Sequence, residues 1–321
     1  MKKTIGVAFL VVVSAILILA QAQQQGAPNN GLPPWAYNVP EKVQPQVPEA
    51  AGMVHLPGST KEYPAKDTES SASPPDWFPD EHPPAPPVVT GAPGRTSLAC
   101  GSCHLMSGQG HPESADLAGL PVDYVVRQMA YFKSGARRDP ARMNAIAKTL
   151  SEEDVLAAAQ YFHQLKPRVW VKVIESDTAP KTYVSNKGRM RLPLPDAGTE
   201  PLGMRIISQP QDAFRTLNRD PHSPFFAYVP RGSIERGEAL VRMGGSGKTI
   251  QCAICHGDSL TGIGDVPRIA GLQPVYIARQ LYDFQNGSSN GAGAALMKKV
   301  VAKLSDEDII SISAYAGSQA P

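Results

Sequence analysis

Cysteine is scarce in this chain: there are four in 321 residues. All four fall in two copies of one pentapeptide, Cys100-Gly101-Ser102-Cys103-His104 and Cys252-Ala253-Ile254-Cys255-His256, so none is left for a disulfide framework. Net charge is also nearly absent, at +2 with no basic run, which argues against a nucleic-acid partner. Long apolar runs are missing everywhere except at the start of the chain.

What is present is chemically specific. The C-x-x-C-H spacing reads as covalent attachment of haem c: two thiols add to the two vinyl groups, and the next residue ligates the iron. Cysteines three apart on one helical turn reach neighbouring vinyls, and the histidine then lies under the metal. A C-x-x-C pair can also be half of a zinc site or a redox dithiol. Zinc would require the two distant pairs to meet in space, and a dithiol would not need a histidine after both pairs.

The first 22 residues read as a secretory signal. Lys2 and Lys3 precede an almost unbroken apolar run, Ile5 to Ala20, and Ala20-Gln21-Ala22 forms a small-x-small cleavage site. This places the mature protein in the periplasm, where bacteria attach c-type haem. The alternative is an uncleaved anchor, because the run approaches the minimum length of a membrane span. The rest of the chain is long enough for two small domains and connecting material.

The two halves align. With His104 set on His256, Leu117-Ala118-Gly119-Leu120 pairs with Ile269-Ala270-Gly271-Leu272, and Tyr124 to Gln128 pairs with Tyr276 to Gln280. Phe132 then meets Phe284, and Gly135 meets Gly287. After a two-residue insertion in the loop Asn286 to Gly293, Met143 matches Met297 and Asp154 matches Asp308. Each unit reads as haem motif, loop, helix, methionine loop, helix. The middle helix of the first unit starts near Pro121, and Ser151-Glu152-Glu153-Asp154 and Ser305-Asp306-Glu307-Asp308 open the last helices as serine caps followed by acids.

A low-spin haem needs a second axial ligand opposite His104 or His256. Met106 follows His104 too closely to reach the far face. Met129 falls inside a helix and corresponds to Leu281, which suits core packing, and Met243 has no counterpart. Met143 and Met297 lie at matching places before the final helices and are the expected distal ligands. His111 has Ile263 at the matching position, His163 belongs to a final helix, and His55, His82 and His222 fall in irregular segments.

On the motifs CGSCH, LAGLPVDYVVRQMAYFKSGAR and M-x6-LSEED, repeated as CAICHG, IAGLQPVYIARQLYDFQNG and M-x6-LSDED, the sequence resembles the tandem dihaem class I cytochromes c of the cytochrome c-four type. The resemblance covers about half the chain, roughly Arg95 to Lys166 and Arg231 to Gln319. It implies a mainly α fold with two small helical class I cytochrome c domains that pass electrons between membrane-associated enzymes. In that family a proline carbonyl after the haem motif orients the ligand histidine. Pro267 matches that position, whereas the first unit has Ala115 there, with Pro112 nearby.

Other segments depart from the family. Gly232 to Met243 supplies a helix before the second haem motif, but Pro83 to Pro87 and Gly91 to Gly94 preclude a long helix before the first. Something else must cover the last helix of the first unit. The Pro-rich arm, residues 23–94, is either an extended linker or, given Trp35, Tyr37, Trp77 and Phe78, an arm packed along the haem units. Residues 167–230 form an irregular insert with β character at Val169 to Ile174, Thr182 to Val184 and Met204 to Ile207. It is expected to set the distance between haems or to act as a docking surface. Gly244-Gly245-Ser246-Gly247-Lys248-Thr249 resembles part of a phosphate loop, but Arg242 stands where that motif needs glycine.

The chain is therefore expected to carry signal 1–22, arm 23–94, haem units 95–166 and 231–321, and insert 167–230. The favoured function is a periplasmic electron carrier with two His/Met haems. Its partners would be redox proteins: a dehydrogenase or quinol-oxidising complex, a terminal oxidase, or another cytochrome. The competing readings are a dihaem peroxidase, which requires an open iron, and a cytochrome subunit held in an oxidase or dehydrogenase complex at the membrane.

Overall fold

The computed structural model describes residues 31–45, 51–92, 97–139 and 141–321. The signal segment and the first part of the arm lie outside the described residues. Trp35–Pro321 form one compact unit. Among the described residues no helix is long and apolar enough to cross a membrane.

The arm opens with a hairpin, β1 (Met53–His55) and β2 (Glu62–Pro64), followed by two single-turn helices, α1 (Ala65–Thr68) and α2 (Pro87–Thr90). The first haem unit follows with α3 (Gly101–His104), α4 (Val122–Ser134), α5 (Met143–Thr149) and α6 (Glu152–Gln164). The insert contributes β3 (Val171–Glu175), β4 (Thr178–Pro180), β5 (Thr182–Val184), β6 (Arg191–Pro193), β7 (Thr199–Pro201), β8 (Ile207–Pro210), α7 (Ala213–Leu217) and β9 (Phe225–Val229). The second haem unit holds α8 (Ser233–Met243), α9 (Ala253–His256), α10 (Pro274–Gln285), α11 (Ala294–Val301) and α12 (Asp306–Ser318).

Helix boundaries follow local chemistry. α4 starts directly after Pro121 and ends at Gly135, whose φ of 81° closes the last turn by donating its N–H to the Phe132 carbonyl. Ser151 and Ser305 accept from the backbone N–H of Asp154 and Asp308, and Ser305 with Asp308 completes a reciprocal capping box. The methionine segments, read as loops, are short helices. Asp139 Oδ2 accepts the Met143 N–H at 2.9 Å, so it caps α5 as an N-terminal acid should.

In the second unit α8 crosses α12 at a glycine. A Cβ on Gly237 would stand 2.0 Å from the Ser311 carbonyl oxygen. In the first unit α2 takes the place of α8. Val88 and Val89 enter the core formed by Tyr161, Phe162 and Leu165, and the Val88 carbonyl accepts the Cys100 N–H at 3.0 Å. Val241 at the end of α8 does the same for Cys252, also at 3.0 Å. The dense prolines thus shorten the covering helix to one turn without removing the cover.

The arm packs along the haem units. Tyr37 donates to Asp283 Oδ1 at 2.8 Å, and Trp35 meets Tyr282 edge to face. Trp77, buried with Val54 and Leu56, donates to the Asn218 carbonyl of the insert at 2.7 Å. The insert builds a three-stranded sheet in the order β3-β9-β8, parallel between β3 and β9 and antiparallel between β9 and β8. Two separate antiparallel pairs, β4 with β7 and β5 with β6, complete the insert. Trp170, Val171, Phe225 and Ala227 of this sheet bury Leu105 of the first haem unit.

Candidate haem-binding sites

Each pentapeptide forms one helical turn. The His104 N–H donates to the Cys100 carbonyl at 2.9 Å, and the His256 N–H donates to Cys252 at 2.9 Å. Two cysteines and a histidine are thereby gathered on each turn, and no disulfide joins any of the four thiols. Burial pushes the Cys252 thiol up to about 11. Among the described residues no three His, Cys, Asp or Glu side chains converge to hold a metal ion.

Both histidines are oriented by the backbone. His104 Nδ1 lies 2.7 Å from the Ala115 carbonyl oxygen, and His256 Nδ1 lies 2.8 Å from that of Pro267. An acceptor on Nδ1 fixes the proton there and leaves Nε2 as the metal-binding nitrogen. Burial lowers the His104 pKa to about 4 and lowers that of His256, so both rings are neutral, as ligation demands. The missing proline at Ala115 is immaterial because the contact uses the main-chain carbonyl.

Glycine makes this loop possible. The Gly110 N–H donates to the His104 carbonyl and the Gly262 N–H to that of His256. Both glycines have positive φ, and a Cβ there would stand 2.5 Å from the Ser114 or Val266 carbonyl oxygen. The tight loop swings the Ala115 or Pro267 carbonyl under the imidazole.

Met143 opens α5 and Met297 sits in the first turn of α11, both half-buried. These short helices pack on α4 and α10 respectively. Met106 and Met129 belong to the apolar core around Phe162 instead. Polar atoms in the post-motif loop fit an acid-bearing cofactor: Gln109 is fully buried, yet its amide nitrogen has no protein partner, and neither does Arg268 Nε.

Sequence reasoning overlooked how the two units meet. Repeat-equivalent residues face each other: Asp116 and Arg268 form an ion pair at 2.8 Å. Arg137 donates to both members of the equivalent pair Gln128 and Gln280. Burial pushes the Asp116 carboxyl up, with the Arg268 charge pulling it back. The signal was the identity of Tyr124 with Tyr276 and of Gln128 with Gln280, polar residues kept on a helix face.

No family model matches the chain. It is 26% identical over 238 residues to a thiosulfate dehydrogenase electron acceptor of Thiomonas intermedia, covering 73% of this chain and 85% of that protein. It is 27% identical over 224 residues to cytochrome c4 of Pseudomonas aeruginosa, covering 68% and 83%. A single stretch of 76 residues is 36% identical to cytochrome c-554(548) of Halomonas halodenitrificans, spanning 23% of this chain and 92% of that one.

Proposed function

The chain belongs to the cytochromes c, as a tandem dihaem class I electron-transfer protein, and from that premise we propose that it works in the periplasm between a dehydrogenase and a terminal acceptor. It carries two covalently attached haems c and is a carrier, not an enzyme. The Thiomonas relative, by name an electron acceptor of a dehydrogenase, supports a dehydrogenase as donor here.

In this reading Cys100 and Cys103 anchor the first haem and Cys252 and Cys255 the second. His104 and His256 are the proximal ligands, and Met143 and Met297 are the distal ones, on units 95–166 and 231–321. When bound, each haem iron supplies a one-electron change. The residues around it hold that change in place. Ala115 and Pro267 fix the histidine tautomer by accepting the Nδ1 proton, and burial keeps both imidazoles neutral. Thioether ligation favours the reduced state relative to bis-histidine, which suits delivery to a high-potential acceptor.

The observation that carries this is the duplicated His Nδ1 to carbonyl contact on a C-x-x-C-H turn. The test is the reduced spectrum with and without carbon monoxide, with haem counted per chain. Two haems and an unchanged spectrum support closed irons and a pure carrier. A carbon monoxide shift in about half the haem would open one iron and turn the reading toward a dihaem peroxidase.

A further inference from the structure

The two haem units are alike in backbone but unlike in what they show to solvent. In the second unit Ile254, inside the motif, is 64% exposed, Ile263 in the following loop is 57% exposed, and Leu296 beside Met297 is 68% exposed. Ile263 lies over the motif turn, within 3.5 Å of where a Cβ on Gly257 would be. Ile250 before the motif is also exposed, and its loop is tied to α11 by Thr249 Oγ1 donating to the Val300 carbonyl. These apolar side chains therefore flank the second motif on both its loop side and its methionine side.

The matching positions of the first unit are polar or covered. Ser102 replaces Ile254 and is 5% exposed, and His111 replaces Ile263 and is 9% exposed. Arg142 stands for Leu296. Arg219 of the insert donates to the Ser102 carbonyl at 2.9 Å, and Trp170 donates to that of Gly110 at 3.0 Å. The insert therefore seals the first motif and leaves the second open.

Charge supplies the rim of the collar. Lys298, Lys299 and Lys303 lie on or just after α11, and no acidic residue occurs between Asp283 and Asp306. The same three positions of the first unit hold Asn144, Ala145 and Thr149, but Arg142 and Lys148 make its methionine helix basic as well, so the apolar collar is what sets the second unit apart. On the loop side, Asp265 is paired with Arg127 at 3.4 Å, and Asp258 is exposed. We propose that the apolar collar around the second haem motif, rimmed by the α11 lysines, is the docking face for a redox protein with an acidic rim. Electrons exchange with that partner through the second haem unit. Scattered exposed apolar residues need no explanation, but a group around one cofactor with its repeat counterparts masked marks an interface.

The inference rests on the carrier reading, and the experiment separates the two. Reduced flavodoxin, an acidic protein donor, is mixed in stopped flow with the oxidised full-length holoprotein. Ionic strength is varied from about 0.01 M to about 1 M, across which the screening length falls from about 30 Å to about 3 Å. The expected rate falls at least about tenfold with salt, and Leu296→Asp combined with Lys299→Glu slows the low-salt rate about tenfold. Lys148→Glu, on the first unit, should leave it unchanged. Dithionite reduction of both haems in every variant keeps the carrier reading intact whatever flavodoxin does, whereas a missing haem would defeat that reading first. A rate indifferent to the collar variant, or one lowered equally by Lys148→Glu, overturns the docking face. Collar-dependent sedimentation with phosphatidylserine vesicles, with flavodoxin rates unchanged, assigns the collar to a membrane and overturns it too.

Discussion

Asp116 and Arg268 hold the same position in the two halves of the repeat, and in the folded chain they face each other as a buried ion pair at 2.8 Å. Removing one partner strands the other charge away from water. Asp116→Asn should therefore cost about 3–5 kcal/mol in denaturant unfolding of the holoprotein, and replacing both by apolar residues of similar size should recover most of it. Additive single and double variants would show that the pair does not couple the units.

Asp283 ties the arm to the second unit through Tyr37, with Arg279, Arg137 and Asp139 also facing it. Burial raises its pKa from 3.8 to about 6. Between those values the folded chain holds the proton more tightly than the unfolded one, so stability falls as pH rises across that window and levels off above it. Asp283→Asn keeps an acceptor for Tyr37 and should remove up to about 3 kcal/mol of this pH dependence. The check is the wild type minus variant difference in unfolding free energy at about pH 4 and about pH 7. A difference that stays constant counts against the assignment.

Leu105 occupies a backbone conformation, φ 61° and ψ 161°, that its repeat counterpart Gly257 adopts as glycine, at φ 82° and ψ 158°. Its side chain is buried against Trp170 and Phe225, and that packing holds the strained backbone. Leu105→Ala loses the burial and keeps the strain, costing about 2–5 kcal/mol. Leu105→Gly loses the same burial but relieves about 1–3 kcal/mol of strain. Glycine should thus be the less damaging substitution, the reverse of the usual order, as read from urea midpoints.

Val89 is fully buried where α2 stands in for a longer helix. Val89→Ala should cost about 1–3 kcal/mol and speed proteolytic cleavage between residues 51 and 92, because Val89 helps seat that segment on the core around Phe162. Cleavage kinetics equal to wild type would mean that α2 contributes little cover.

The haem turns were legible because their chemistry is local: two cysteines and a histidine on one turn need no distant partner to be recognised. The serine-capped helices were legible for the same reason. β9 was missed although Phe225–Val229 alternates in burial, because Pro224 and Pro230 bracket a run too short to stand out. The role of α2 was not legible, since a four-residue helix starting at Pro87 has no periodicity and exists only against Phe162. Asp116 and Arg268 stand in loops, where the sequence pattern alone assigns them no partner. Their pairing arises only when two similar units pack face to face, which one repeat read alone does not reveal.

β3 leaves the first haem unit and β9 enters the second, and they run side by side from Val171 against Phe225 to Glu175 against Val229. Neighbouring strands lie about 4.8 Å apart. The chain therefore comes back beside its own point of departure, with Phe225 next to Val171, and everything from Val171 to Pro224 is a closed excursion. Lengthening or trimming that excursion can reshape the outer wall of the first unit while the two haem units keep their mutual seat. The insert is an annexe built beside the join, and the two units also meet directly, through Asp116 with Arg268 and through Arg137 with Gln128 and Gln280.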